Sequence, residues 1–545
     1  MKKNMTVSDS IIASLQNNHV KDVFGIISIH TLDFHDALYR TSDFCYWGGR
    51  TELASTFMAD GYSRSSKNIG IVLTSTGPGA ANSMHAMGEA YHSCSRILQI
   101  TTNIETEFLG LRKGLLHEPI DQLKMFDSVT SKSFQITNVD DIENEINNIF
   151  HLMNISRPSS FVLEIPNDIL GQEQRSLSVD SESNTQQNNL PIEEINMLVE
   201  YIKKASNPIF LLGEEVMFCK RQEIFVQLAE VFGIPIVTTA GSKGLFPENH
   251  HLSLGQILGN RVWGNNLVHE YLSECDLLVA FGAGLPYQTT KAIGLNFPDV
   301  TIQTSLDPAL IGRNVDVKLG IVGDADSIAM EILKIVKNTD VFKGNKIGVK
   351  VKKLKSRVKK ILKQEWPAET KIFESLREVI PIDSITVWDT TIPTSKASRC
   401  FEITKPNTFI NPHGWVGIGF SFPASIGAKI ANPDKPVVCF TGDGGFQYCM
   451  SELGTLLQNE IAITVVMFYD NAWGVLKNLQ RDKYDNRFFG TTLANPNFVQ
   501  IFNSFGFSGV RVNSLIELKN SLAKGINSNK TNLIEVSIPN GLENF

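Results

Sequence analysis

What the chain lacks narrows its class before any motif is read. Across 545 residues no uninterrupted apolar run is long enough to cross a bilayer, and the polar stretch from Asn4 to Ser10 behind Met1-Lys2-Lys3 leaves no apolar centre for a signal peptide. Cationic excess is absent: 50 Lys+Arg against 57 Asp+Glu give a formal charge of −7, which argues against nucleic acid or a membrane as the partner. Cysteine is sparse and scattered. Cys45, Cys94, Cys219, Cys275, Cys400, Cys439 and Cys449 are odd in number and have neither zinc-ligand nor redox-motif spacing, so reduced thiols in a cytoplasmic protein are expected. Short-period repeats are missing too. What remains fits a large soluble enzyme, with length for about three domains, each with its own core.

Two shifts in composition divide the chain. Gln172 to Asn189 crowds Ser, Asp, Glu, Asn and Gln together, and a basic stretch from Asn345 to Gln364 ends before Trp366-Pro367. The expected plan is therefore domains at 1–171, 190–343 and 368–545, with linkers at 172–189 and 344–367. Lys350 to Lys363 reads as a solvated helical connector. Each block alternates short apolar strands, such as Ile69 to Thr74, Pro208 to Gly213 and Pro436 to Phe440, with amphipathic stretches. That pattern predicts an α/β fold of three doubly wound parallel-sheet domains.

The third block carries the strongest chemical signal. A β-rich apolar run ends in Gly442-Asp443-Gly444-Gly445, a helical pattern follows, and a second apolar run, Ile461 to Tyr469, ends at Asp470-Asn471. In a right-handed parallel crossover both strands finish on one sheet edge, so Asp443 and Asn471 can converge. Their oxygens suit Mg²⁺, and the glycine N–H groups at Gly444 and Gly445 suit a diphosphate. Gly-Asp-Gly alone also makes ordinary turns.

The segment from Gly442 through Asp470-Asn471-Ala472-Trp473-Gly474 resembles the signature of thiamine diphosphate-dependent enzymes. The resemblance implies that Asp443, Asn471 and the Trp473 carbonyl hold Mg²⁺ on the cofactor diphosphate. In the first block, Arg50 to Arg64 is similar to the family's pyrimidine-domain motif, with Glu52 as its catalytic glutamate; a helix-starting Glu favoured by the dipole is the other reading. A carboxylate on the aminopyrimidine drives the tautomer that deprotonates the thiazolium, and it needs a largely apolar pocket. Thr76-Gly77-Pro78-Gly79-Ala80-Ala81-Asn82 resembles the cofactor-facing loop. Thr390 and Thr391 either approach the diphosphate or cap a helix. Gly417 to Ala424 is similar to the loop beneath the cofactor. There Ile418 would wedge between the two rings or serve only as core packing, and the Val416 carbonyl would accept from the aminopyrimidine.

The same resemblance, to the acetohydroxyacid synthase, pyruvate oxidase and benzoylformate decarboxylase group, implies active sites between subunits of a homodimer or homotetramer. It also implies decarboxylation of a small-molecule 2-oxo acid through a thiazolium ylide and enamine. Acyl transfer to a carbonyl acceptor, as in an acyloin- or acetolactate-forming carboligase, is an alternative, as is a catalytically silent cofactor-binding regulator. Two departures from the synthases favour the decarboxylase: Leu115-Leu116-His117-Glu118 stands where they carry Ala-Phe-Gln-Glu, and Leu479 stands where they carry an acceptor-selecting tryptophan. His117, His413 and His30 are candidate proton donors near the reacting carbon, although a surface or structural histidine fits the same positions. Arg112 and Lys113 pair a substrate carboxylate or are merely solvated. In the central block, Gly213-Glu214-Glu215 and Gly282-Ala283-Gly284 make no dinucleotide fingerprint, so FAD is not expected there.

Overall fold

The structure is a computed structural model that describes residues 5–174, 190–257, 267–337, 345–538, 541–542 and 545. Most of the linker expected at 172–189 lies outside them. Three six-stranded sheets form the frame, and every pairing within them is parallel. The first contains Asp22–Gly25, Cys45–Gly48, Gly70–Thr74, Ile97–Asn103, Lys132–Gln135 and Ser160–Pro166. In space these lie in the order second, first, third, fourth, sixth, fifth. The third sheet, from Ile385–Trp388 to Asn532–Ser537, repeats that order, whereas the middle one, from Pro208–Leu212 to Leu319–Val322, runs third, second, first, fourth, fifth, sixth.

Continuous apolar strands form the sheet centres because helices cover both faces. Gly70–Thr74, Ile97–Asn103 and Ser160–Pro166 are buried at every position. A separate two-residue ribbon, Met5–Thr6 against Glu173–Gln174, joins the two ends of the first unit.

The first and third units share a core. Phe57, Met58 and Tyr62 of the Glu52–Ser66 helix pack in one cluster with Phe420, Phe422 and Phe446. This helix meets the Ser421–Ala431 helix backbone to backbone: a Cβ on Gly61 would stand 1.9 Å from the Ala424 carbonyl oxygen, and one on Gly427 would stand 1.7 Å from that of Met58. Between the helices Arg64 is fully enclosed, with Nε 2.7 Å from Asp60 and Nη2 3.2 Å from Glu89.

The basic stretch forms the Asn345–Glu365 helix and is more than a solvated connector. Lys350 pairs with Glu274, Arg357 pairs with Glu270, and Lys355 donates to the carbonyls of Glu248 and His250. Its cations thus lie along the central unit. Among the described residues no helix is long and apolar enough to cross a membrane.

Gly61→Ala gives a test with an unusual sign. In an open helix this change gains about 1 kcal/mol. Here the overlap with Ala424 makes it destabilising by about 1–3 kcal/mol, read as a lowered denaturant midpoint.

Candidate active site

The crossover in the third unit does what its spacing predicts. Val437–Gly442 and Thr464–Tyr469 are parallel neighbours with Gly442 opposite Phe468, so the residues following them emerge on one edge. Asn471, in a left-handed conformation at φ 56°, donates its N–H to Asp443 Oδ2 at 2.8 Å. Asn495 Nδ2 reaches both Asp443 Oδ2 (2.6 Å) and Asn471 Oδ1 (3.1 Å), so the two oxygens face one point, as a shared cation requires. A carboxylate and an amide oxygen are the donors a hard divalent cation takes. Burial pushes the Asp443 carboxyl above its ordinary range despite its hydrogen bonds to Gly444, Asn471 and Asn495, and Asp470 is pushed to about 6 by burial and by Asp443. Gly444 lies close against the Trp473 ring, where a Cβ would stand 2.4 Å away and force the ring to shift.

Beside this edge runs the loop from Asn411 to Ser421. Asp389 is enclosed and organises its far end: Oδ1 accepts from the N–H groups of Thr390 and Gly419, and Oδ2 from the N–H and hydroxyl of Ser421. Thr390 donates its hydroxyl to the Val416 carbonyl at 3.0 Å, whereas Thr391 caps the Ile392–Cys400 helix through the Thr394 N–H. Of the two threonines, Thr390 is the one turned to the loop. Val416 has φ 58° and is 47 % exposed, and Ile418 is half-buried.

A second group gathers in the first unit. Glu52 opens its helix behind the Thr51 cap, and its Oε2 accepts from Asn82 Nδ2 at 2.7 Å. A Cβ on Gly79 would stand 3.2 Å from Glu52 Oε1, so the Gly77-Pro78-Gly79 turn lies against the carboxylate. The turn is held from behind: the Gly77 N–H donates to Gln122 Oε1, and Gln122 Nε2 donates to the buried Glu164. Gly77, at φ 64°, also lies against the His117 carbonyl, where a Cβ would come within 2.3 Å. The rings of His117 and His30 are 5.1 Å apart. His30 Nδ1 lies 3.4 Å from the Ser75 hydroxyl, which is hydrogen-bonded to that of Ser28. Burial, then the charge of His117, lowers the His30 pKa. Glu118 turns inward on the N–H groups of Lys113, Gly114 and Leu115, while Arg112 and Lys113 are exposed.

Not every expected residue joins these groups. The apolar pocket expected around Glu52 is not closed by the single chain, which leaves Glu52 half-buried and Asn82 exposed. His413 packs against the central unit: its Nε2 would lie 2.1 Å from a Cβ on Gly241, and its Nδ1 is 3.5 Å from Arg64 Nη1. Burial and Arg64 lower its pKa. Glu89 and Asn495 have no part in the motif reading, and Gln122 has no role assigned in it. Glu89 carried a readable signal, a lone carboxylate between Gly88 and Ala90 on the buried side of the short Met84–His92 helix. Asn495 had none, because its partners are distant in the chain.

Comparison with known proteins gives the family of the three units. The thiamine pyrophosphate enzyme N-terminal TPP binding domain matches residues 5–125, the central domain 195–332 and the C-terminal TPP binding domain 389–536. The chain is 28 % identical to a probable acetolactate synthase large subunit of Methanococcus aeolicus, over 98 % of this chain and 92 % of that one. It is 25 % identical to the acetolactate synthase isozyme 3 large subunit of Escherichia coli, over 96 % and 93 %. In fold it is similar to the thiamine diphosphate-dependent 4-hydroxybenzoylformate decarboxylase of Rhodococcus jostii RHA1, with TM-score 0.79, 21 % identity, and coverage of 98 % and 99 %. With three domain matches in order along most of its length, the chain belongs to the thiamine pyrophosphate enzyme family.

Proposed function

We propose that this protein is a non-oxidative 2-oxo acid decarboxylase that uses thiamine diphosphate and Mg²⁺. The observation that carries the choice of reaction is the His30–His117 pair beside the Glu52 turn. When bound, the cofactor supplies an electron sink for the carbon that loses CO₂. The fate of that carbon depends on the chain. A proton delivered to it yields an aldehyde, whereas a site without a ready donor leaves it for a carbonyl acceptor. His117 is the donor in this reading, and His30 orders it from the side of Ser75. His413 is set aside because its ring is enclosed against Gly241.

In the same reading Asp443, Asn471 and the Trp473 carbonyl hold the metal, with Asn495 orienting the first two. Gly444 and Gly445 face the diphosphate, as do Thr390 and the loop bearing Ile418, and Glu52 holds a proton on the pyrimidine ring. Gly77, Pro78 and Asn82 shape the Glu52 side. The central unit serves as a spacer without FAD. Its strand order would put a dinucleotide between the ends of Pro208–Leu212 and Leu277–Phe281. There the Gly213 and Gly282 turns touch, and the buried Glu215 is engaged by Ser305 and Leu306. A homodimer, or a pair of dimers, completes the site. Trp415, Val416, Tyr448, Leu476 and Leu479 leave apolar surface open beside the third-unit group, and Glu52 is half-covered. Carboligation is the second reading, favoured by the acetolactate synthase large subunits among the relatives.

A panel of 2-oxo acids assayed together for CO₂, aldehyde and acyloin separates the two readings. Aldehyde is expected as the main product, and acetolactate from pyruvate without free aldehyde would establish the carboligase instead. His117→Ala should lower aldehyde release about 10²-fold and raise the acyloin share. Glu52→Gln should abolish turnover and keep the fold. Mixed with Asp443→Ala under subunit exchange, it should recover about a quarter of wild-type activity, because half the dimers are then mixed and each has one intact site. Asn495→Ala should raise the Mg²⁺ concentration for half-maximal cofactor binding about 10–100-fold.

A further inference from the structure

One buried carboxylate has a set of partners that no role in the first unit explains. Glu89 is fully enclosed in the Met84–His92 helix, yet it accepts four successive backbone N–H groups from the third unit. Its Oε1 takes His413 at 3.0 Å and Gly414 at 3.1 Å, and its Oε2 takes Trp415 at 2.8 Å and Val416 at 3.0 Å. Ser93 Oγ donates to Oε1 at 2.6 Å, and Arg64 Nη2 lies 3.2 Å away. The carboxylate thus stands where four converging N–H dipoles make an anion site, and a side chain of the chain itself fills it. Burial raises its pKa, but Arg64, His413 and the hydrogen bonds from Ser93 and Gly414 outweigh burial and hold it at about 2, so the group is ionised throughout the working range.

The last of these donors belongs to Val416. Valine is β-branched, and at φ 58° it occupies a region such residues avoid. The conformation is fixed from both ends: Glu89 takes the Val416 N–H, and the Thr390 hydroxyl donates to its carbonyl. A strained peptide held at both its N–H and its C=O has a set direction.

We propose that Glu89 is a positioning residue for the cofactor: it presets the loop from His413 to Val416, and with it the direction of the Val416 carbonyl toward the aminopyrimidine. The inference rests on the assignment of that carbonyl as the aminopyrimidine acceptor and is independent of whether the product is aldehyde or acyloin. It also gives the first unit a second task, performed on the third unit of its own chain.

The test measures cofactor binding directly, by titrating the Mg²⁺-loaded protein with thiamine diphosphate and following near-ultraviolet circular dichroism of the bound aminopyrimidine. Glu89→Asp keeps the charge beside Arg64 but is one methylene too short to span four N–H groups. Glu89→Gln keeps the length but offers only one acceptor oxygen. Asp60→Asn is the control, since it removes a charge beside Arg64 while leaving both Glu89 oxygens and the four N–H groups they accept unchanged. Glu89→Asp is expected to raise the cofactor Kd at least tenfold and alter the dichroism of the bound ring, with KM for the oxo acid unchanged. Asp60→Asn is expected to lower the melting temperature and leave the cofactor Kd within twofold of wild type. Should Glu89→Gln fail to fold, Glu89→Asp alone decides. A folded Glu89→Asp protein with wild-type cofactor Kd overturns the proposal, and so does an Asp60→Asn protein whose Kd rises as far.

Discussion

The Glu52–Ser66 and Ser421–Ala431 helices touch backbone to backbone, Gly61 on Ala424 and Gly427 on Met58, and the rest of the site is arranged around that contact. No side chain fits between them there, so the first and third units are held at one distance and angle. The approach encloses Arg64 over the Phe420 ring, 5.1 Å from its centroid, and carries Glu89 to the loop beside it. A looser crossing would admit water to these charges and release the loop.

Burying a guanidinium with two carboxylates costs several kcal/mol per ion in desolvation, and such groups rarely persist for stability alone. Here each charge is used more than once. Asp60 accepts from Arg64 and Ser95; Arg64 reaches Asp60, Glu89 and the Asn411 carbonyl; Glu89 gathers four N–H groups of the loop from Asn411 to Ser421. Asp389 does the same at the other end of the loop with a second buried carboxylate. The loop therefore gains its shape from two anions outside it rather than from its own turns. That arrangement suits a segment that must present a carbonyl in one direction, since neither anion can move without leaving several N–H groups unpaired.

Much of this was legible in the chain, for definite reasons. The strand before Asp443 and the strand before Asn471 are short apolar runs with turn residues behind them, and parallel topology brings their ends together. The Gly77 turn and the Thr51-Glu52 helix start are local signals that formed as read. Other readings were narrowed by contacts. Thr391 is a helix cap while Thr390 binds the loop, a choice that adjacent identical residues cannot reveal. His413 precedes the loop in the sequence but is pressed on Gly241, which is distant in the chain. The basic helix is tied to the central unit by partners on other elements, so its charge pattern alone suggested a solvated rod.

By itself the sequence determined the α/β class and the order of three units, because these depend on local periodicity and on residue types at short spacing, and its family resemblance named the residues proposed for a diphosphate, a cation and a pyrimidine ring. Only the tertiary structure decided which side chains meet. The pairing of Asn495 with Asp443 and Asn471, the His30–His117 contact and the hold of Glu89 on Val416 all join residues far apart in the chain. Their energies come from distance, direction and exclusion of water, quantities that exist only once the helices and sheets have packed.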